Sequence, residues 1–171
     1  MNKIVEEKLN KQIELEANSS HLYLSMACWA ECKGYGGTAN FLYKHSDEER
    51  MHMLKLVKFV NERGGKAIIP SLTAGNVSFS SLNEVFELLL EHEIEVTDSI
   101  NEVVFVCLEQ KDYTSHSFIQ WYVSEQLEEE ALARNILDKL KLIDNDKGGL
   151  YLFDRDLMNI QADSVANTPK A

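Results

Sequence analysis

The stretch His45-Ser46-Asp47-Glu48-Glu49-Arg50-Met51-His52 decides the fold, because it places a glutamate and a histidine on an otherwise apolar helix face. Glu49 and His52 are three residues apart, and residues at that spacing are neighbours on a helix surface. Leu42 and Leu56 continue the same face two turns to either side. Apolar residues at three- and four-residue steps mark the side of a helix that faces the core. We therefore expect Glu49 and His52 to point into the interior of the protein.

Three further segments carry the same kind of apolar stripe, and each stripe is interrupted by one glutamate near its middle. These glutamates are Glu16, Glu93 and Glu129. The chain has only 8 glycines and 2 prolines, so few residues interrupt long helices. Capping and breaking residues predict helices at about 3–33, 38–63, 82–110 and 112–143, with a short fifth helix at about 150–160.

The lengths of the connections predict how the four long helices are arranged. Short breaks separate the first helix from the second and the third from the fourth, which favours two antiparallel hairpins. The connection between them has about 15 residues and, at about 3.3 Å per residue, can run the length of the bundle. The second and third helices are then parallel. The sequence predicts an all-α fold: one domain over residues 1–171, with a four-helix bundle, one long crossover and a short C-terminal fifth helix.

Four mid-helix positions lie at about the same height in such a bundle, so the four glutamates are expected to converge. Burial of an unpaired carboxylate costs several kcal/mol or more, and neighbouring negative charges increase that penalty. Either the carboxyl groups are protonated or cations join them. Two divalent ions balance four carboxylates, and carboxylates with one imidazole and no thiolate favour iron or manganese. A single glutamate on a helix stripe is commonly a flanking residue that reaches water, but four at matching heights favour a metal site.

The overall composition argues against several functional classes. The net charge of −11 disfavours binding to nucleic acid or to an anionic membrane surface, and suits a protein that handles cations. No apolar run reaches the roughly 18–20 residues that span a bilayer. The start of the chain is too acidic for a secretory signal, and three cysteines do not suggest a disulfide framework. We therefore expect a cytoplasmic protein without a membrane or nucleic-acid partner.

Four stretches of the sequence resemble the prokaryotic non-haem ferritins, and the resemblance covers essentially the whole chain. They are residues 14–23, 45–52, 91–93 and 118–130, of which the last is the most specific. The resemblance implies a ferritin-like bundle with ferroxidase activity, which oxidises Fe(II) with O2 or peroxide. It also implies iron storage as ferric oxo-hydroxide inside a cage of 24 subunits.

The resemblance also implies a role for each candidate residue of this di-iron centre. The first iron would be bound by Glu16, Glu49 and His52. The second iron would be bound by Glu93, Glu129 and the bridging Glu49. Gln126 would lie beside the centre, and Tyr23 would lie near it as an electron donor. A third iron position is implied on the carboxylate set Glu48, Glu125, Glu128 and Glu129. Glu48 and Glu125 are one position away from the core stripe, so they could instead face solvent.

At two places this sequence differs from the sequences of related di-iron bundles. Many of those bundles carry a second Glu-x-x-His on the fourth helix, where this chain has Gln126 and Glu129. The second iron then lacks a histidine ligand, and we expect it to be held less firmly than the first. Arg50 stands where bacterioferritins place the methionine that binds haem, so we expect no haem.

Two rival functions follow from the same pattern. A peroxide-reducing bundle of the rubrerythrin type would normally require the second Glu-x-x-His that is missing here. A passive storage subunit would lack the core carboxylates, which are all present.

Four histidines have no role in the proposed di-iron centre, namely His21, His45, His92 and His116. His45 lies on the core stripe, where it is either a partner of the metal ligands or a hydrogen-bonded core histidine.

Overall fold

Five helices make up the secondary structure of the residues that the structure describes. The computed structural model describes residues 1–72, 75, 78–144 and 146–158. The helices are α1 (Lys3–Cys32), α2 (Gly36–Glu62), α3 (Leu82–Glu109), α4 (Tyr113–Ile143) and α5 (Lys147–Leu157). The residues that the structure describes contain no strand, so the all-α fold predicted from the sequence is confirmed. Within the same residues, no helix combines the length and the apolarity needed to span a bilayer.

Contacts between the helices give the direction of each one through the bundle. Lys8, near the start of α1, pairs with Glu102 toward the end of α3. Tyr23, closer to the end of α1, contacts Glu93 nearer the start of α3. These two helices are therefore antiparallel. The short turn between α1 and α2 makes that pair antiparallel as well. It follows that α2 and α3 are parallel, as the long crossover predicts.

The crossover from α2 to α3 travels along the outside of α1. Near its beginning, the backbone N–H of Ile68 donates a 2.7 Å hydrogen bond to Oδ1 of Asn10. Near its end, the ring of Phe79 packs edge-on against Trp29, with the ring centroids 5.7 Å apart. Asn10 and Trp29 lie toward opposite ends of α1. The crossover thus spans most of the bundle, so α2 and α3 run in the same direction.

The core consists of two apolar clusters with a polar layer between them. One cluster includes Ile13, Leu56, Val96 and Tyr122. The other includes Tyr23, Leu42, Leu89 and Ala133. On the core-facing side of each of the four long helices, one glutamate falls between the residues of one cluster and those of the other: Glu16, Glu49, Glu93 and Glu129. The two clusters therefore hold the four glutamates at one height in the bundle.

α2 begins at Gly36, two residues earlier than the sequence predicts. The acceptor for its first N–H groups comes from α5 rather than from a neighbouring residue. The Asp154 carboxylate accepts hydrogen bonds from the backbone of Gly37 at 3.0 Å and of Thr38 at 2.8 Å. Gly37 permits this approach, because a Cβ at that position would lie 1.7 Å from the backbone oxygen of Asp154. Hydrogen bonds to Asp154, which is distant in sequence, thus allow α2 to begin at Gly36 and to include both glycines.

α5 also begins earlier than predicted, at Lys147 rather than near Leu150. The side chain of Asp146 caps it by accepting a 2.6 Å hydrogen bond from the backbone N–H of Gly149. An aspartate at this position satisfies an N–H group at the helix start, so the two following glycines do not delay the helix. The predicted end of this helix, at residues 159–160, lies outside the described residues. The other helix boundaries coincide with the prediction or differ from it by one residue.

We expect Asp154→Ala to lower the thermal stability of the metal-free protein, because the first N–H groups of α2 lose their acceptor. Loss of a helix cap costs about 0.5–2 kcal/mol, which corresponds to a Tm decrease of about 1–8 °C for a chain of this size. Differential scanning calorimetry measures this change. Asp156→Ala is the matched control, since Asp156 is exposed and pairs with its neighbour Arg155. Equal melting temperatures for the two variants would contradict the capping role.

Candidate metal centre

Three buried side chains from α1 and α2 form the first group of possible metal ligands. Glu16, Glu49 and His52 each offer one donor atom, and these atoms all lie within 4.8 Å of one another. Nδ1 of His52 is 3.5 Å from Oε2 of Glu49 and 3.8 Å from Oε2 of Glu16. The two carboxylates are only 1% and 3% exposed. The structure therefore brings together the three residues that the sequence assigns to a first iron.

The electrostatics of this group fit a cation. Oε2 of Glu16 is buried and has no hydrogen-bond partner among the described residues. Burial and the neighbouring Glu49 carboxylate raise the pKa of Glu16 well above its usual range. Burial, followed by the charges of Glu93 and Glu129, likewise raises the pKa of Glu49. Negative charge at these positions is unfavourable without a partner, and a divalent ion supplies that partner.

Glu93 is held by two buried side chains, one from α1 and one from α4. The hydroxyl of Tyr23 donates a hydrogen bond to Oε1 of Glu93. Nε2 of Gln126 donates to Oε2 of Glu93 at 2.9 Å and to its backbone oxygen at 3.1 Å. Burial, and then the Glu93 carboxylate, raise the pKa of Tyr23 well above its usual range, which keeps the phenol protonated. The orientation of the Glu93 carboxylate is therefore fixed before any ion binds.

Glu129 belongs to a second group of possible ligands, which is separate from the first. His45, Glu48 and Glu129 offer donor atoms that all lie within 4.8 Å of one another. Burial raises the pKa of Glu129 to about 7. Of the other carboxylates assigned to a third iron, Glu125 is half-buried and Glu128 is exposed, and neither belongs to this group. The structure thus joins two of the four residues in that set and adds a histidine to them.

Gln12 and Ser99 support the centre, and the sequence reasoning missed both. Gln12 is fully buried, and its Nε2 donates a 2.8 Å hydrogen bond to Oε1 of Glu16. The hydroxyl of Ser99 donates to Oε1 of Gln12 at 2.6 Å, which orients the amide toward Glu16. Gln12 lies one turn before Glu16 on the same face of α1. The sequence signal that could have identified Gln12 was a second polar residue on the helix face that carries Glu16.

Two serines fix the distance between α1 and α2 beside the centre. The hydroxyl of Ser20 donates to the backbone oxygen of Ser46 at 2.7 Å, and the hydroxyl of Ser46 donates to the backbone oxygen of Ser20 at 2.7 Å. Ser20 is one turn from Glu16, and Ser46 is one turn from Glu49. These reciprocal bonds hold the two carboxylates in register across the helix pair.

An aromatic side chain of α4 covers the first group. The ring of Trp121 contacts His52 edge-on, with the ring centroids 5.2 Å apart. Nζ of Lys55 lies 3.0 Å from the centroid of the Trp121 ring, an arrangement in which the cation is attracted to the face of the indole. Trp121 is 36% exposed, whereas His52 is buried. The indole therefore separates the histidine from solvent.

We expect Gln12→Leu to weaken Fe(II) binding by about 10–100-fold, because loss of a hydrogen-bonded partner leaves a metal ligand poorly oriented. Anaerobic titration with Fe(II) measures the affinity. Gln120→Leu is the control, since it makes the same replacement at an exposed position of α4. Equal affinities in the two variants would show that Gln12 does not position Glu16.

Comparison with known proteins agrees with this geometry. A family model described as a ferritin-like domain matches residues 6–143. A probable bacterial non-haem ferritin-like protein of Haemophilus influenzae is 47% identical over 152 residues, which cover 89% of this chain and 92% of the relative. A bacterial non-haem ferritin of Campylobacter jejuni is 43% identical over 160 residues, which cover 94% of this chain and 96% of the relative.

A solved structure shares the same architecture. A ferritin of the archaeon Archaeoglobus fulgidus, described as having a novel open pore, superimposes with a TM-score of 0.92 at 39% sequence identity. The match covers 94% of this chain and 98% of that chain. The fold, the buried group of carboxylates and histidine, and these similarities lead to one conclusion: the chain belongs to the ferritin family and is similar to the bacterial non-haem ferritins.

Proposed function

We propose that the protein stores iron, and that each subunit oxidises Fe(II) at two adjacent iron positions in the bundle core. The observation that carries the proposal is the convergence of four glutamates and one histidine between the two apolar clusters. In the described part of the chain, none of the ion pairs made by these glutamates involves a lysine or an arginine. The first iron would be held by Glu16, Glu49 and His52. The second would be held by Glu49, Glu93 and Glu129.

The buried carboxylates determine both the binding and the direction of the reaction. Each Fe(II) that enters relieves the desolvation penalty of the carboxylates around it. Fe(III) is harder and more highly charged, so oxygen ligands stabilise it more than they stabilise Fe(II). Two Fe(II) ions side by side supply two electrons, which with two protons reduce O2 to hydrogen peroxide. Two further Fe(II) ions and two protons reduce that peroxide to water, which makes peroxide the alternative oxidant.

The two iron positions differ in how firmly they hold an ion. His52 gives the first position a nitrogen ligand, whereas the carboxylate of Glu129 stands at the place where related bundles carry a second histidine. Gln126, at the place of the glutamate of that motif, donates to Glu93. We expect the ion at the second position to leave more readily after oxidation and to pass to storage. Tyr23 hydrogen-bonds Glu93 directly, which supports its role as an electron donor, because the carboxylate can accept the phenolic proton.

We propose that the subunits assemble into a cage of 24 and that the protein works in the cytoplasm. Large apolar side chains exposed on the single chain support assembly, since they need a partner surface; they include Ile68, Leu127, Leu142 and Tyr151. The three cysteines are free thiols, which is the usual state in a reducing compartment. Light scattering is expected to give a particle of about 470 kDa for 24 chains of 19.5 kDa. A monomer or a dimer at micromolar concentration would contradict the cage.

The test of the iron chemistry compares Glu49→Ala with Asp47→Ala. Glu49 is buried at the centre, whereas Asp47 is an exposed residue two positions earlier on the same helix. After anaerobic loading with two Fe(II) per subunit, an O2 pulse is followed by absorbance of the ferric product. We expect the rate to fall by about 100-fold or more in Glu49→Ala and to stay unchanged in Asp47→Ala. Equal rates in Glu49→Ala and the wild type would overturn the proposed centre.

A further inference from the structure

A chain of polar contacts leads from Glu93 through Gln126 to the surface of the bundle. Nε2 of Gln126 donates to Oε2 of Glu93 at 2.9 Å, and the same nitrogen lies 3.5 Å from Oγ1 of Thr97. The hydroxyl of Thr97 donates to Oε1 of Glu130 at 2.6 Å. Glu130 in turn accepts a hydrogen bond from Nη2 of Arg134, whose side chain is 52% exposed. The buried carboxylate of Glu93 is thereby connected to an ion pair at the surface.

The spacing of these residues along two helices brings them together. Thr97 follows Glu93 by four residues on α3, and Glu130 follows Gln126 by four residues on α4. Side chains at this spacing are neighbours on one face of a helix. Gln126 contacts both residues of the α3 pair, and Thr97 contacts both residues of the α4 pair. The contacts therefore alternate between the two helices across their interface.

The hydrogen atoms in this chain can point in only one direction. A carboxylate offers acceptor atoms alone, so Glu130 takes the single hydroxyl proton of Thr97. The threonine oxygen then faces Gln126 with its lone pairs, which attract an amide N–H and repel an amide oxygen. If the Gln126 amide turned over, its oxygen would lie against Thr97 and against the Glu93 carboxylate. The contacts therefore fix the amide with its N–H groups toward α3.

The ion pair with Arg134 keeps the acceptor of this chain in position. The two carboxylate oxygens of Glu130 have different partners, since Oε1 accepts from Thr97 and Oε2 accepts from Arg134. The Glu130 side chain is only 15% exposed, so few water molecules compete for these oxygens. Rotation of the carboxylate away from Thr97 would break both contacts. An ion pair at the surface thus supports the orientation of an amide in the core.

We propose that Thr97 and Glu130 are positioning residues for the second iron, which act through the amide of Gln126 on the Glu93 carboxylate. The inference rests on the proposed function, because it takes Glu93 as a ligand of that iron. A ligand that is already oriented loses less conformational freedom when an ion binds. Loss of a hydrogen-bonded partner behind a metal ligand weakens metal binding by about 10–100-fold. The affinity of the second position therefore depends on two residues that do not touch the ion.

Anaerobic calorimetric titration of the assembled protein with Fe(II) tests the inference, because it measures the affinity of each iron position. Thr97→Val removes the hydroxyl and keeps the shape of the side chain. We expect it to weaken binding of the second Fe(II) by about 10-fold or more. The first Fe(II) should bind as before, since Gln12 orients Glu16 separately. Thr97→Ser, which restores the hydroxyl, should recover the affinity. Thr114→Val is the control, since it makes the same replacement at an exposed position of α4.

Two further variants show whether the effect passes along the chain. Glu130→Leu removes the acceptor of the Thr97 proton, so we expect it to weaken the second Fe(II) as well. It also keeps the inference testable if Thr97→Val fails to fold. In a Gln126→Leu background, Thr97→Val should cause no additional loss, because the effects of residues that act through one another are not additive.

Any of four results would overturn the inference. They are an unchanged second affinity in Thr97→Val or Glu130→Leu, a failure of Thr97→Ser to recover it, an equal loss from Thr97→Val with and without Gln126, and a loss that affects both iron positions equally. The rates of Fe(II) oxidation by the wild type and Glu49→Ala are measured in parallel. If oxidation depends on Glu49 while one of these results is obtained, the proposed function stands and the positioning role is rejected. If oxidation does not depend on Glu49, the proposed centre fails, and this inference fails with it.

Discussion

The mutual repulsion and desolvation of buried carboxylates is the constraint on which the rest of this structure depends. Glu16, Glu49 and Glu93 are almost completely buried, and Glu129 is nearly so. Apolar clusters above and below this layer supply the packing that holds these charges together in the absence of metal. Natural proteins retain such unfavourable groups where function requires them. This layer therefore lowers the stability of the metal-free protein, and bound divalent ions would offset that loss.

The carboxylates are also held in defined orientations, and the means differ between helices. The amide of Gln12 orients Glu16, while Gln126 and Tyr23 together hold Glu93. Preorganisation of this kind lowers the entropy lost when an ion binds. His52 follows Glu49 by three residues on α2, and Glu129 follows Gln126 by three residues on α4, so an imidazole on one helix corresponds to a carboxylate on the other. The candidate ligands are therefore asymmetric, because the imidazole lies on the side of Glu16 and Glu49.

Long helical periodicity made most of the fold predictable, and two of the misses come from contacts between residues distant in sequence. The bundle, the crossover and the glutamates at one height follow from apolar spacing and connection length, both of which are properties of neighbouring residues. The start of α2 was placed two residues too late, because its first N–H groups are capped by Asp154, more than a hundred residues away in sequence. Ser99 was missed for the same reason, since a lone serine on α3 gives no local sign of its contact with α1.

The sequence by itself determined which side chains are buried together and that their charges need cations, because helix periodicity and burial depend on residue type and spacing alone. The tertiary structure decided which donors meet which carboxylates, and it placed His45 between Glu48 and Glu129. Those pairings depend on distances between helices. The hydrogen bonds between Ser20 and Ser46 help to set such a distance. They join two different helices, so the sequence of either helix alone does not predict them.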